Sequence, residues 1–222
     1  MQSTAAPTDT SAMPTVHTFF RREFRLAGGV LRGVPTGDLR RARVVAGHLD
    51  FLARSLYEHH TTEDELLWPK LLDRIPGELA PIVRLMESQH EQVDALLAEI
   101  GDRLPHWATT ADAAGRDRLA DLFERLHTHL AEHLDAEEQR LLPIAAQAVT
   151  QEEWDELGER GRSHTRRSEM SLTLGMFAYE GDPAVIAHML AEAPVPVRWL
   201  VPRLARRAFR RHALAVHGTA TP

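Results

Sequence analysis

The sequence contains no cysteine among its 222 residues. A chain without cysteine forms no disulfide framework, no cysteine-ligated zinc site and no cysteine-ligated iron–sulfur cluster. Any metal site must therefore be built from histidine, aspartate and glutamate side chains. The chain has many of these, with 13 histidines and 32 acidic residues.

Long apolar runs and targeting signals are also missing. No stretch approaches the ~20 apolar residues that a membrane span needs. With 43% hydrophobic and 26% charged residues, the composition fits neither the disordered nor the membrane class. The N-terminal segment "MQSTAAPTDTSAMPT" lacks the basic and apolar regions of a secretory signal, so residues 1–14 are predicted to be a flexible tail. The expected location is the cytoplasm.

Strand signals are scarce, because aromatic residues make up only 6% of the chain and no Asn-Gly hairpin turn occurs. Apolar residues instead recur every three to four positions, which predicts an all-α protein. Four long helices joined by short connections predict an antiparallel up-down four-helix bundle over residues 15–149. The predicted helices span residues 15–32, 38–73, 78–104 and 116–148.

Residues 150–217 are predicted to form an added C-terminal helical layer. Thr150 and Glu153 form the pattern of a capping box, which opens a short helix. A further helix is predicted over 163–179, and three prolines between positions 194 and 202 are expected to delay the last one. That last helix carries six arginines and no acidic residue, which leaves the rest of the chain at a formal charge of −12.

This basic amphipathic helix has more than one interpretation. The leading one is that its apolar face packs on the bundle while its arginines stay in water or pair with acids. Contact with nucleic acid or an anionic membrane surface comes second. The sequence gives no oligomeric state.

Two segments of the chain repeat each other. "YEHHTTEDELLWPKLL" begins at Tyr57 and "THLAEHLDAEEQRLLP" begins at Thr128. The segments superimpose at four pairs of positions, which are His59/His133, Glu63/Glu137, Leu67/Leu141 and Pro69/Pro143. Each histidine and glutamate are four residues apart, so each pair projects from one helix face.

Both pairs point among leucines, where burying an imidazole and a carboxylate is costly unless a metal neutralises the charge. His17 precedes His59 by 42 residues and His90 precedes His133 by 43, so a His helix is followed twice by an HxxxE helix. An antiparallel bundle brings these four imidazoles and two carboxylates to a similar depth. The set suits two borderline divalent metals, with iron, manganese and zinc all compatible. Open coordination positions would then accept O₂, H₂O₂ or NO.

This H…HxxxE…H…HxxxE pattern, with "EDELLWP" and "EEQRLLP" after the ligand pairs, resembles the hemerythrin-like (HHE cation-binding) proteins, which are non-haem di-iron four-helix bundles. The similarity extends more loosely to actinobacterial members with a C-terminal helical extension, some of them linked to peroxide breakdown. The resemblance implies two iron ions, Fe²⁺ or Fe³⁺, with an optional oxo or hydroxo bridge and with Glu63 and Glu137 as bridging ligands. It implies the ligand set His17, His59, Glu63, His90, His133 and Glu137.

The chain departs from true hemerythrins at two places. Asp94 stands where they have a second histidine four residues after the helix-3 one, and the second motif is HxxxE rather than HxxxxD. The missing imidazole counts against simple reversible O₂ carriage. His60, rotated about 100° from His59 on the helix, is a candidate fifth imidazole ligand.

Other polar residues have roles that the sequence leaves open. His129 is a candidate for a position behind the ligands or for a buried structural role. Asp64 and Glu138 either face the surface or orient ligand imidazoles. His48 is predicted to be a hydrogen-bonded core histidine. The remaining C-terminal histidines are interpreted as structural, namely His164, His188, His212 and His217.

The sequence is compatible with three functions. One is an enzyme that turns over H₂O₂, O₂ or NO, with catalase-like peroxide breakdown and a role in oxidative stress. Another is a sensing or storage module for O₂, NO or iron that signals through the C-terminal helices. The third is a metal-free helical scaffold. A ferritin-like arrangement is rejected, because its Glu-x-x-His pairs at His90 and His127 fall on consecutive helices without a glutamate-bearing helix between them.

Overall fold

The structure, a computed structural model, describes residues 6–77, 79–191 and 193–222. The first five residues of the predicted tail, and Glu78 at the predicted start of the third helix, lie outside the described residues. The described parts of the chain form helices and contain no β-strand. The α-helices are α1 (Ala12–Arg32), α2 (Leu39–Leu66), α3 (Trp68–Arg74), α4 (Ala80–Thr110), α5 (Ala113–Ala136), α6 (Leu142–Ala148), α7 (Gln151–His164), α8 (Met170–Glu180), α9 (Pro183–Met189) and α10 (Val195–His217), and a π-helical turn (Glu137–Leu141) links α5 to α6.

The four long helices α1, α2, α4 and α5 form the predicted all-α bundle. Helix α1 packs along α5, α4 packs between α2 and α5, and α1 also contacts α2. The turns after α1 and α4 meet at one end of the bundle, where the N–H of Gly37 donates to the carbonyl of Ala111 over 3.0 Å. Gly37 has a φ of 81°, a backbone conformation that glycine adopts without the steric penalty of a Cβ atom.

Two of the predicted long helices are interrupted just after their glutamates. The second helix breaks after Leu66 and continues as α3, and the fourth passes through the π-helical turn before α6. Pro69 and Pro143 stand one residue inside the new helices. Proline has no N–H for the helical ladder and its ring crowds the preceding turn, so a break or a π-turn is the expected accommodation. The prediction of continuous helices over residues 38–73 and 116–148 is therefore wrong.

Other helix boundaries differ from the predictions, and α8 begins at Met170 rather than at the predicted residue 163. Helix α4 runs through Pro105 to Thr110, because Trp107 is fully buried and packs into the core at its last turns. Helix α1 begins at Ala12, within the predicted tail. Helix α10 begins at Val195 and contains a proline in its interior, so the prolines do not delay it as predicted.

The core is divided into two apolar layers. A large cluster contains Leu56, Val93 and Leu134, and a smaller one contains Leu67 and Met86. Along each bundle helix the predicted ligand residues fall between the two layers. The bundle therefore carries a polar layer across its width, enclosed by packed apolar side chains on both sides.

The C-terminal helices pack against the bundle. Helix α7 contacts α2, α8 contacts α1, and α10 contacts both α8 and α2. The predicted capping box at Thr150 and Glu153 is present at the start of α7. Helices α8 and α10 approach closely at Gly175, where an added Cβ would lie 2.3 Å from the carbonyl oxygen of Ala205. None of the described helices has both the length and the apolar character of a membrane span.

Candidate metal centre

The first cluster consists of His17, His59, Glu63 and Glu137. One potential ligand atom from each of the four side chains lies within 4.8 Å of the others. Helix α1 supplies His17, helix α2 supplies two members, and the π-helical turn supplies Glu137. His17, Glu63 and Glu137 are buried, and the side chain of His59 is 12% exposed.

The second cluster consists of His60, His90 and His133, all of them buried. The imidazoles of His60 and His90 are stacked, with centroids 3.9 Å apart and ring planes 6° apart. The ring of His133 stands edge-on to both. His60, the candidate fifth imidazole, therefore lies inside the bundle beside His90 and His133.

The two glutamates lie between the clusters. Glu63 presents Oε1 at 3.6 Å from Nε2 of His59 and Oε2 at 3.6 Å from Nε2 of His90. Glu137 presents Oε2 at 3.2 Å from Nε2 of His17 and at 3.7 Å from Nε2 of His133. Each carboxylate thus faces one histidine from each cluster.

Acidic residues next to the glutamates hold the outer nitrogens of two imidazoles. Nδ1 of His90 lies 2.7 Å from Oδ1 of Asp64, and Nδ1 of His17 lies 2.8 Å from Oε1 of Glu138. Carboxylates behind ligand histidines fix the tautomer and direct the other nitrogen inward. Both predicted features are present, because the side chains of Asp64 and Glu138 are 42% and 27% exposed and each also contacts a buried imidazole. Gln89 was not among the predicted residues, and its Oε1 lies 3.4 Å from Nδ1 of His133.

Most of the inward-facing atoms in and beside these clusters lack partners among the described protein groups, although Nε2 of His90 and Nε2 of His133 lie within hydrogen-bond distance of each other, at 3.2 Å. Buried polar atoms are almost always hydrogen-bonded, so a concentration of unpartnered ones calls for an explanation. The atoms are Nε2 of His17, Nε2 of His59, both ring nitrogens of His60, both carboxylate oxygens of Glu63 and Glu137, and Oδ1 of Asp94. Imidazole nitrogens and carboxylate oxygens that converge in this way fit one or two divalent cations.

The sequence of residues 8–145 matches the family model described as the hemerythrin HHE cation binding domain. The chain belongs to this family. The match covers the bundle and both clusters, so membership and the buried histidine and glutamate groups together indicate a cation-binding bundle. No curated protein and no solved structure matches the chain.

Burial keeps three imidazoles of this HHE domain neutral. Loss of hydration lowers the pKa of His59 and of His133 to about 3, because the charged form is disfavoured away from water. The same cause lowers the pKa of His60 well below its usual value. A neutral imidazole has a free lone pair, which is the form that binds a metal ion.

The pKa values of Glu63 and Glu137 are shifted in opposite directions. Burial, together with the nearby charge of Glu137, raises the pKa of Glu63 well above its usual value. Burial also acts to raise the pKa of Glu137, but the neighbouring His17 outweighs it and lowers that pKa to about 2. For His17, burial is likewise outweighed by the charge of Glu137, and its pKa is raised. In the metal-free protein, burial therefore favours the protonated form of Glu63, whereas the contact with His17 favours the carboxylate form of Glu137.

An acidic pocket of about 300 Å³ opens beside the second cluster. It is lined by Asp64, Trp68, Glu87, His90, Glu91 and Asp94. Carboxylates at the mouth of a cleft raise the local concentration of cations. The pocket reaches His90 and so connects solvent with the second cluster.

The remaining predicted residues lie apart from these clusters. His129 is partly buried and belongs to none of the potential metal groups within the described residues. His164 lies 2.6 Å from Oε2 of Glu58, an ion-pairing contact that sequence spacing did not predict. His48 is buried and hydrogen-bonds to His212 over 2.9 Å, as expected of a core histidine.

Proposed function

We propose that the bundle holds two iron ions and breaks down hydrogen peroxide in a catalase-like reaction. The observation that carries the proposal is the pair of adjacent buried clusters, in which two carboxylates and most of the inward-facing imidazole nitrogens have no hydrogen-bond partner among the described protein groups. Iron is proposed over zinc or manganese because of the family resemblance. When bound, iron supplies the redox chemistry and the open coordination that O₂, H₂O₂ or NO requires.

The proposed ligands divide unequally between the two ions. His17 and His59 would hold the first ion, and the three imidazoles of the second cluster would hold the second. Glu63 and Glu137 would bind both. The first ion thus receives one imidazole fewer, so its side of the centre is the proposed place for an exogenous ligand.

The surroundings of the first cluster suit a guarded small-molecule site. Phe20 lies against His59 with ring centroids 5.3 Å apart, and its side chain excludes water from that face. Glu138 lies behind His17 and accepts a hydrogen bond from Arg21 over 2.6 Å, which fixes its position. Glu138 is 27% exposed, so its carboxylate connects the buried imidazole with solvent and provides a route for a proton.

Peroxide is the preferred substrate because its breakdown needs no outside electron donor. Two molecules of H₂O₂ give two of water and one of O₂, so one molecule is oxidised while the other is reduced. The sequence contains no flavin or haem motif that would deliver electrons for a reaction with O₂ or NO. Disproportionation of H₂O₂ therefore needs no electron donor besides the substrate itself.

The test uses protein from an iron-supplemented host, with bound iron measured alongside O₂ release after H₂O₂ is added. We expect about two irons per chain, a change in the visible spectrum and O₂ evolution. The variant Glu137→Gln is expected to lose iron and activity, whereas Glu132→Gln, which alters an exposed residue of α5, keeps both. Two irons without O₂ evolution would refute the enzymatic part and favour a sensing or storage role. Absence of stoichiometric metal would refute the centre.

A further inference from the structure

A third cluster of potential metal ligands lies outside the centre described above. It consists of Glu23 on α1, His48 on α2 and His217 at the end of α10, with one ligand atom from each within 4.8 Å of the others. Oε2 of Glu23 lies 3.3 Å from Nε2 of His48 and 3.3 Å from Nε2 of His217. The side chains of Glu23 and His48 are fully buried and that of His217 is 5% exposed.

The three converging atoms are unpartnered while the outward atoms are held. Oε2 of Glu23 and Nε2 of each histidine have no hydrogen-bond partner among the described protein groups. The other oxygen of Glu23 accepts hydrogen bonds from Nε and Nη2 of Arg22, over 2.9 and 2.8 Å. Nδ1 of His48 lies 2.9 Å from Nε2 of His212. The surrounding contacts therefore orient the free atoms toward a common point, as outer contacts do in metal sites.

This cluster is separate from the two-ion centre. His48 precedes His59 by 11 residues on the same helix, a distance of about 16 Å along the axis at ~1.5 Å per residue. One of its ligands comes from α10, which lies beyond the residues matched by the family model. Neither the family membership nor the proposed function accounts for these three side chains.

We propose that Glu23, His48 and His217 bind a single zinc ion. Two imidazole nitrogens and one carboxylate oxygen form a donor set found in zinc sites, where water or another ligand takes the fourth tetrahedral position. A hydrogen-bonded network explains the group less well, because both imidazoles approach the same oxygen without making a hydrogen bond to it. Arg22 pairs with both Glu23 and Glu180, over 2.8 and 2.9 Å, so one arginine is shared between two carboxylates.

Bound zinc would fasten the C-terminal layer to the bundle. His217 is the last residue of α10, whereas Glu23 and His48 belong to the bundle helices α1 and α2. A ligand that binds only the native state stabilises it in proportion to its concentration and affinity. Zinc at this position would therefore make the docking of α10 dependent on the metal.

The first test is equilibrium dialysis of the full-length, metal-free protein against Zn²⁺, followed by measurement of zinc per chain. We expect His217→Gln to bind one zinc fewer than the unaltered protein. The control His188→Gln changes an exposed histidine of the same C-terminal layer and should bind the full number. His212→Ala should weaken the site about 10- to 100-fold, because it removes the contact behind His48. Equal zinc in the unaltered protein and His217→Gln would overturn the proposal.

A second measurement decides the matter even if the substituted chains fail to fold. Crystals of the unaltered protein soaked in Zn²⁺ should show an anomalous peak between the three side chains, and its absence would overturn the proposal. The outcome is distinguishable from that of the two-ion centre. Glu137→Gln should lose the metal of that centre and keep the zinc bound by His217.

Discussion

Replacement of Glu63 by leucine should change protein stability in opposite directions with and without metal. In the metal-free protein, Glu63 is buried with both carboxylate oxygens unpartnered. Its raised pKa, caused first by burial, favours the protonated form over the carboxylate. The relevant cost is therefore that of a buried neutral polar group rather than of a full charge.

The size of the effect follows from the burial of that group. An unpartnered buried polar group costs about 1–3 kcal/mol in proteins, and a leucine of similar volume removes this cost. At ~2–4 °C per kcal/mol for a chain of this size, Glu63→Leu should melt roughly 2–12 °C higher in EDTA. With metal at 1,000 times its dissociation constant, the unaltered protein gains about 4.1 kcal/mol that the variant lacks. The order of stability should then reverse.

The assay is thermal unfolding followed by circular dichroism in EDTA and in anaerobic Fe²⁺. Glu132→Leu is the matched control, because it removes an exposed acid from α5. This control should shift little in either buffer. A Glu63→Leu variant that is less stable in EDTA as well would refute the reasoning, since the carboxyl would then be a structural partner of its neighbours.

Two further perturbations test the charges and the C-terminal layer. The lowered pKa values of His59, His60 and His133 mean that the metal-free folded state binds fewer protons than the unfolded chain below pH 6.5. Each of these imidazoles removes up to about 1.4 kcal/mol of stability per pH unit below pH 6.5. Urea unfolding in EDTA should therefore show a progressive loss of stability as the pH falls from about 6.5 to about 4.5. A stability that rises on acidification would contradict this. Gly175→Ala should lower the free energy of unfolding by about 1–3 kcal/mol, because the added Cβ clashes with α10. Gly161→Ala, with open space around it, should not lower the free energy of unfolding. Equal effects of the two substitutions in denaturant titrations would disprove the close packing of α8 and α10.

The sequence predicted the bundle well because its signals are local and periodic. Apolar spacing identifies the four long helices, and HxxxE places His59 with Glu63 and His133 with Glu137 on single helix faces. His17 could be added because an antiparallel bundle brings equivalent depths together. Each of these inferences needs only helix geometry and the order of the helices.

Other features depend on tertiary contacts that spacing does not encode. His60 is one residue from His59 and so points about 100° away on an ideal helix, and only the approach of α4 and α5 brings it beside His90. The interruptions after the glutamates depend on how each proline is accommodated. The third cluster joins bundle residues to His217, more than 160 positions further along the chain. The sequence predicted that the last helix packs on the bundle, but not where it packs.

The repeated motifs differ at one position that determines the asymmetry of the centre. The acid that follows each glutamate contacts a histidine from the other pair of bundle helices. Asp64 on α2 contacts His90 on α4, and Glu138, which follows α5, contacts His17 on α1. Each half thus depends on the other for a correctly placed imidazole. The equivalence fails at His60, whose counterpart in the second motif is the buried Leu134. This single difference gives the second cluster its third imidazole and leaves the first cluster with two, which is why the proposed exogenous ligand belongs on the side of His17 and His59.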